Sequence, residues 1–452
     1  MTRSGRSTRI SILTRFPRLG EVKTRLVPPL SAEEALALHD RMMRHTLRRA
    51  LAVAATGEAH AEVRTDAAFP HAAREWLGRG FSTRYQGEGD LGDRIRLAFG
   101  DAFARGDKRV VVIGSDCPRM TSTHLRDALQ RLAHIDVVLG PATDGGYYLI
   151  ALRAESAKTS VPYLFTGIPW STSAVLDATI DIAEKCGLTY AVLETLPDVD
   201  TLEDLADAAA ALDAAELPTE PTVSVVIPAL DDAGCVAAAV ASALAAGAAE
   251  VIVVDGGSFD ATREVAETAG ATVIEAARGR ATQMDAGARA ANGDVVLFLH
   301  ADTLLPERAA ALACETLARK RVVAGAFSFA VPRSARHAWL ISAIGRARHQ
   351  LGGAPWGDQG VFMAAQTWRD LGGFGDVPVM EDLEMAARLR RLGKIVVRRE
   401  QAVTSARVWD EYGLVLPTVV NACGILAYLL GMDPERIVQW RARIAPRDRS
   451  RL

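Results

Sequence analysis

Apolar runs recur along the chain in step with an alternation of strands and helices. Lys108-Arg-Val-Val-Val-Ile-Gly-Ser-Asp116 is an apolar run that ends in an aspartate, and Asp294-Val-Val-Leu-Phe-Leu-His-Ala-Asp302 repeats the pattern. Neither run alternates apolar with polar. Each therefore predicts a parallel strand with both sheet faces covered. In such open sheets ligands bind outside the carboxyl ends of the strands, where both aspartates fall.

In the first half the pattern predicts strands over 9–14, 109–113, 136–139, 147–151 and 189–192, and helices over 32–53, 92–105, 122–133, 173–186 and 202–215. The second half predicts strands over 223–227, 250–254, 272–275 and 295–299, separated by helices over 233–245, 261–269 and 280–290. Alternation of this kind makes a mostly parallel α/β sheet with helices on both faces. Leu217-Pro-Thr-Glu-Pro-Thr222 interrupts it, and two prolines among small polar residues read as a linker. The expected organisation is a domain over 1–212, a linker over 213–222 and a second domain over 223–452.

A chain of 452 residues suits two domains of about 200 residues each. A net charge of −3 argues against a broad nucleic-acid-binding surface. The 5 cysteines are scattered, with no Cys-x-x-Cys pair, so neither zinc nor a disulfide framework is indicated and a reducing cytoplasm is the simplest compartment. The basic amino terminus lacks the apolar core of a signal peptide. Residues 413–432 carry no charge, and a basic tail follows. They predict either a buried helix or a peripheral membrane contact; a full span fits them least.

The chemistry gathers at the predicted strand ends. Val223-Ser-Val-Val-Ile-Pro228-Ala, Val251-Ile-Val-Val-Asp255-Gly-Gly-Ser258, Gly279-Arg-Ala-Thr-Gln-Met-Asp285, Phe298-Leu-His-Ala-Asp302, Trp356-Gly-Asp-Gln359, Met380-Glu-Asp382 and Ser405-Ala-Arg-Val-Trp409 follow in that order. The set resembles the family 2 glycosyltransferases of GT-A fold, and within them the second rSAM/selenodomain-associated transferase, of arsenosugar-biosynthesis type. The resemblance implies a nucleotide-diphospho-sugar donor, a UDP-sugar, and an acceptor that the sequence does not identify. It places Asp302 on a divalent metal, Mg or Mn, with His300 as a helper where the family usually has a first aspartate. It places Pro228, Asp255, Arg278 and Arg280 around the nucleotide, Asp358 and Gln359 on the acceptor side, and Arg407 and Trp409 over the diphosphate. Asp382 matches the family's base, with Glu381 beside it, and inversion would follow. Plain N-capping of a helix over 383–392 also accounts for Asp382, and ordinary packing for Trp409.

In the first half, Thr14-Arg-Phe-Pro-Arg-Leu-Gly-Glu-Val-Lys-Thr-Arg25 follows the first strand, and a basic loop there suits phosphate oxygens through Lys23 and Arg25. Gly114-Ser-Asp-Cys-Pro118, Gly140-Pro-Ala-Thr-Asp-Gly-Gly-Tyr-Tyr148, Gly167-Ile-Pro-Trp-Ser-Thr172 and Asp198-Val-Asp-Thr201 complete a set similar to the first rSAM/selenodomain-associated transferase, a GT-A-like family akin to nucleotidyltransferases. Asp116 and Asp144 are the metal candidates, against turn formation as their alternative. Tyr147 and Trp170 are candidates for stacking on a base or sugar, against core packing. Gly87-Glu-Gly-Asp-Leu-Gly92 fits a dinucleotide pattern, but its carboxylates would repel a pyrophosphate, so it reads as an acidic loop near the site. The combined expectation is a bifunctional transferase. Nucleotidyl transfer as the main activity and a binding protein with one decayed site are the alternatives.

Overall fold

The computed structural model describes residues 7–67, 69, 71–78, 80–157, 159–213, 217–335, 337–343, 355, 357–375 and 377–444. Trp356 lies outside them. The chain divides into two compact units, Met1–Glu216 and Leu217–Leu452, and the division falls inside the stretch 213–222.

The first unit holds strands β1 (Thr8–Leu13), β2 (His60–Thr65), β3 (Ser82–Tyr85), β4 (Arg109–Ile113), β5 (Val137–Pro141), β6 (Tyr147–Arg153) and β7 (Tyr190–Val192). They form one sheet in the order β3-β2-β1-β4-β6-β5-β7. Every pairing is parallel except those of β6, which runs against β4 and β5. Side chains leave the sheet alternately to two cores. Val111 and Ile113 join Met43, Leu47 and Val53 of the helix Ala32–Ala55 on one face. Val110 and Val112 join Ile95, Phe99 and Phe103 of the helix Leu91–Ala104 on the other. Covering both faces is what makes the strand sequence continuously apolar.

β2 and β3 escape the hydrophobic pattern for a physical reason. β2 carries Glu62 and Arg64, both fully buried. Arg64 Nε pairs with Glu62 at 2.7 Å, Arg105 at 3.0 Å, and Arg84 and Arg9 lie at 3.4 and 3.5 Å. Ser11 Oγ donates to Glu62 at 3.1 Å. The strand reads as polar because its inward charges are neutralised by partners that are distant in sequence. Removing one partner of such a buried pair typically costs about 3–5 kcal/mol.

The second unit holds β8 (Val223–Ala229), β9 (Glu250–Asp255), β10 (Thr272–Glu275), β11 (Val295–Phe298), β12 (Thr303–Leu304), β13 (Val322–Ala330), β14 (Val361–Ala364) and β15 (Lys394–Thr404). Their order is β10-β9-β8-β11-β14-β13-β15-β12. Without the short edge strand β12 this is the order of the first sheet. Here too one strand, β14, runs antiparallel to both of its neighbours, while β13 and β15 pair in parallel. One face packs on the helices Val236–Ala245 and Ala309–Leu317. On the other face the helix Arg280–Ala290 comes close because Gly287 has no side chain; a Cβ there would strike Val226 and Val254. The two apolar runs that end in Asp116 and Asp302 are thus β4 and β11, the same position in two copies of one topology.

Each half has its own sheet and its own cores, so residues 1–216 and 217–452 expressed separately are expected to be soluble and to melt cooperatively by calorimetry. A half that is unfolded alone while the whole chain is stable would show that the two units depend on each other.

Candidate active sites

In the first unit the loops at the carboxyl edge of the sheet converge. Asp116 follows β4, Asp144 lies between β5 and β6, and Asp198 and Asp200 follow β7. Val199 N donates to Asp116 O at 3.0 Å, which draws the Asp198–Asp200 segment in beside β4. Carboxylate oxygens of Asp144, Asp198 and Asp200 lie within 4.8 Å of one another. Burial, and then the charges of Asp144 and Asp200, hold Asp198 above the usual carboxylate range. A divalent cation would relieve that repulsion.

Asp116 stands differently from the metal ligand the sequence suggests. Lys23 Nζ reaches Asp116 Oδ1 at 2.7 Å and Val199 O at 2.7 Å. Arg25 pairs with Asp200 at 2.6 Å. The basic loop therefore already neutralises two of the carboxylates, and the geometry groups Asp144 with Asp198 and Asp200 instead of with Asp116. The last two escaped notice as ligands because it is the pairing of β7 with β5 that brings them in. Asp66, just after β2, was also missed; it accepts from Phe16 N at 2.6 Å and Arg18 at 3.2 Å and anchors the start of the basic loop.

Tyr147 and Trp170 meet edge to face at 6.4 Å. Trp170 lies against Gly92, where a Cβ would come within 2.7 Å of the indole. Both rings pack against the core that holds Ile95, Phe99 and Phe103, which is the core alternative. In the acidic loop, Asp90 caps that same helix and Asp93 reciprocates. These two carboxylates serve the helix start.

In the second unit, Asp302 follows β11, and its carbonyl accepts from Ser405 N at 3.0 Å, which brings the Ser405–Trp409 segment alongside. Cys235 is pushed up to about 12 by burial, then by Asp232 and Asp302, against the opposing charge of Arg407. Asp302 and Arg407 therefore share one neighbourhood. Across it, Arg280 Nη1 meets Glu381 Oε1 at 3.1 Å. Burial pulls Arg280 down, but Glu381, Asp382 and Asp302 together hold it above its ordinary value.

Asp382 accepts from Gly357 N at 2.8 Å. Burial, then the adjacent Glu381 charge, pushes its carboxyl up to about 7; Arg280 and the Gly357 N–H oppose this. Gly357 also abuts the ring of His300 with no room for a Cβ. The segments bearing His300, Asp302, Gly357 and Asp382 thus meet. The helix Glu381–Leu392 is entered through Met380 in a left-handed conformation, and Asp382 lies inside the first turn. It does not cap the helix; its carboxylate points to Gly357 instead.

A buried polar brace fixes the two helices that carry these groups. Asp285, on the helix of Arg280, accepts from Trp368 Nε1 at 3.0 Å and Phe374 N at 2.9 Å. Arg388, on the helix of Asp382, donates to Leu371 O at 3.1 Å and Gly373 O at 2.8 Å. The turn after residue 371 therefore holds both helices. Gly373 has φ +80°, and a Cβ would approach the Asp285 carboxylate to 2.7 Å, so only glycine suits this position. Gln283 reaches back to Ala229 O at 2.9 Å and Val254 O at 2.8 Å and seats the helix on the ends of β8 and β9.

Other residues singled out in the sequence take structural places. Asp255 is fully buried; it accepts from Gly257 N at 3.0 Å, from Ser258 and from Arg263 Nε at 2.7 Å. It shapes the loop after β9, and a base bound there would compete for those bonds. Gln359 is buried, turns into the sheet and donates to Phe327 O at 2.9 Å. Trp409 packs edge to face on Phe329 at 6.2 Å. Pro228 lies half-buried near the end of β8, Asp358 is half-buried, and Arg278 and Arg407 are exposed.

Both units carry the GT-A-like α/β architecture of nucleotide-diphospho-sugar transferases, with carboxylates and arginines at the carboxyl edge of each sheet. The family described as "Uncharacterized protein conserved in bacteria (DUF2064)" matches residues 46–172, and "Glycosyl transferase family 2" matches residues 224–364. The chain joins a domain of the first kind to a glycosyltransferase domain of the second. Among solved structures, one assigned as a nucleotide-diphospho-sugar transferase from Desulfovibrio desulfuricans G20 is 30% identical over 46% of this chain and 97% of its own, with a TM-score of 0.40. Glucosyl-3-phosphoglycerate synthase from Mycobacterium tuberculosis, in complex with phosphoglyceric acid, is 24% identical over 43% of this chain and 75% of its own, with a TM-score of 0.31. The same enzyme with Mn²⁺, UDP-glucose and phosphoglyceric acid is 21% identical over 47% of this chain and 80% of its own, with a TM-score of 0.34. No curated protein matches the chain.

Proposed function

We propose that the chain is a bifunctional cytoplasmic transferase. Its second half transfers a sugar from a UDP-sugar to an acceptor hydroxyl, and its first half is a second transferase that uses a nucleotide or a nucleotide sugar. Within the matched families the motif order favours the rSAM/selenodomain-associated branches, with the arsenosugar-biosynthesis type for the second half. The observation that carries the reading is that Arg280, paired with Glu381, and Asp382, held by Gly357 N beside His300, come together near the segment of Asp302, with the Asp382 carboxyl pushed up to about 7.

A base for sugar transfer must be ionised at working pH and still hold a proton well, which is what burial beside Glu381 gives Asp382. In the forward step Asp382 takes the proton of the acceptor hydroxyl. The hydroxyl oxygen forms a bond to the anomeric carbon as the bond to the diphosphate oxygen breaks, and the electron pair leaves with the diphosphate. Attack from the face opposite the leaving group inverts the anomeric centre. In this reading Arg280 and Arg407 offset charge developing on the diphosphate. Asp302, a hard oxygen donor, suits a Mg²⁺ or Mn²⁺ ion, which when bound supplies further positive charge at the leaving group.

In the first half, Asp144, Asp198 and Asp200 suit a second divalent ion, and Lys23 and Arg25 suit phosphates. Binding there would exchange the ion pairs to Asp116 and Asp200 for contacts to the ligand. A nucleotidyltransferase reading of this half is favoured by three clustered carboxylates beside a basic loop. Release of pyrophosphate from a nucleoside triphosphate and a sugar phosphate would identify it.

Two outcomes are expected. Asp382→Asn leaves UDP-sugar affinity near the wild-type value by calorimetry, while donor turnover, with water as a stand-in acceptor, falls by about 10²- to 10⁴-fold. Full turnover in that variant would move the base elsewhere. For the first half, Mn²⁺ is expected to raise the melting temperature of the wild-type protein, and Asp198→Asn is expected to abolish that part of the stabilisation. An undiminished Mn²⁺ response in Asp198→Asn would exclude the three-aspartate site.

A further inference from the structure

The helix Val415–Leu429 leaves an apolar stripe uncovered. Val415 is 71% exposed, Val419 50%, Leu426 57% and Leu430, just past its end, 79%. Leu416, Ala422, Cys423 and Met432 are exposed beside them. The spacing 415, 419, 422, 426 and 430 is one helical face, and no charged residue interrupts it. The opposite face is packed: Val420 is 9% exposed, and Gly424 lies close to Met380 and Ile437. An apolar face of this extent on a folded protein marks a contact with something else.

The surrounding charge identifies what that is. The helix Pro434–Ile444 follows after a short turn and exposes Arg436 and Arg443, while Arg441 bonds Asn421 at 2.9 Å. The described residues 413–444 hold the three arginines Arg436, Arg441 and Arg443 against the two carboxylates Asp433 and Glu435, and the sequence that follows adds three arginines and one aspartate, in a chain whose net charge is −3. An uncharged stripe beside a basic segment is the pattern of a helix that lies in an anionic lipid surface. The helix is 15 residues, about 22 Å long, short of the roughly 30 Å of a bilayer core. Among the described residues no helix is long and apolar enough to cross a membrane.

We infer that the exposed face of the helix Val415–Leu429, with Arg436 and Arg443, docks the protein on the surface of an anionic phospholipid membrane. The buried face of the same helix touches Met380, the residue before Glu381 and Asp382. Docking would therefore hold the second candidate site at the lipid surface, whatever its reaction. The inference stands on exposure and charge and does not depend on the assignment of Asp382.

The test is flotation of the full chain with vesicles of phosphatidylglycerol and phosphatidylcholine, and with phosphatidylcholine alone. The expected result is flotation with the anionic vesicles, at least tenfold weaker with phosphatidylcholine alone, and weakened by high salt. Val419→Glu with Leu426→Glu changes only exposed positions. This variant is expected to keep the wild-type circular dichroism and melting temperature while losing anionic-vesicle binding by tenfold or more. Arg436→Ala with Arg443→Ala is expected to weaken binding at low salt. Wild-type protein that stays unbound with anionic vesicles overturns the inference. So does a Val419→Glu/Leu426→Glu variant that floats like wild type, or a wild-type oligomer in sedimentation that this variant dissolves without any lipid binding.

Discussion

Parallel strand pairing is the constraint on which both halves depend. Because β1, β2 and β4 run together, their carboxyl ends open on one edge, and β8, β9 and β11 repeat the arrangement. A strand buried on both faces admits a charge along its length only where a partner neutralises it, as on β2, so most charge is deferred to the residues where the strand ends. The same positions recur: Asp66 and Asp255 at the ends of β2 and β9, Asp116 and Asp302 after β4 and β11. The reversed strands β6 and β14 then bring further acidic segments back to that edge. Both candidate sites follow from topology before any particular side chain is considered.

The two halves manage their carboxylates differently. In the first, Lys23 and Arg25 engage Asp116 and Asp200 directly, which leaves Asp144 and Asp198 in a repelling group. In the second, one arginine, Arg280, answers Glu381 and acts on Asp382 and Asp302. Asp382 remains short of compensation, and its proton is held up to about 7 as a result. The first arrangement suits capture of a cation and a phosphate. The second suits a proton acceptor. The brace of Asp285 and Arg388 matters to the second because Arg280 and Asp382 sit on separate helices.

Much of this was legible in the sequence wherever hydrophobicity alone decided the structure. β4 was delimited residue for residue, as were β10 and the helix Arg280–Ala290, because each is a simple apolar run or an uninterrupted helical segment with a clear start. β2 was not, since its buried Glu62 is answered by Arg9, Arg84 and Arg105, and its buried Arg64 by Glu62 and Asp101. In the sites, positions at strand ends could be read but side-chain direction could not. Gln359 turns into the sheet, Trp409 and Trp170 pack on neighbours, and Asp198 and Asp200 join Asp144 through strand pairing. Asp382 looked like a possible helix cap because sequence does not show that Met380 adopts a left-handed conformation ahead of it.

On the proposed function, Asp382 is a carboxylate tuned by burial and by Glu381 to accept a proton. It must be ionised to act, and it gains a proton as pH falls through about 7. The most direct measurement is the pH dependence of donor turnover at saturating UDP-sugar. The account predicts a rate that is flat above about pH 7 and falls tenfold for each pH unit below it. A rate that holds steady down to about pH 4, where an ordinary carboxylate titrates, would contradict the account.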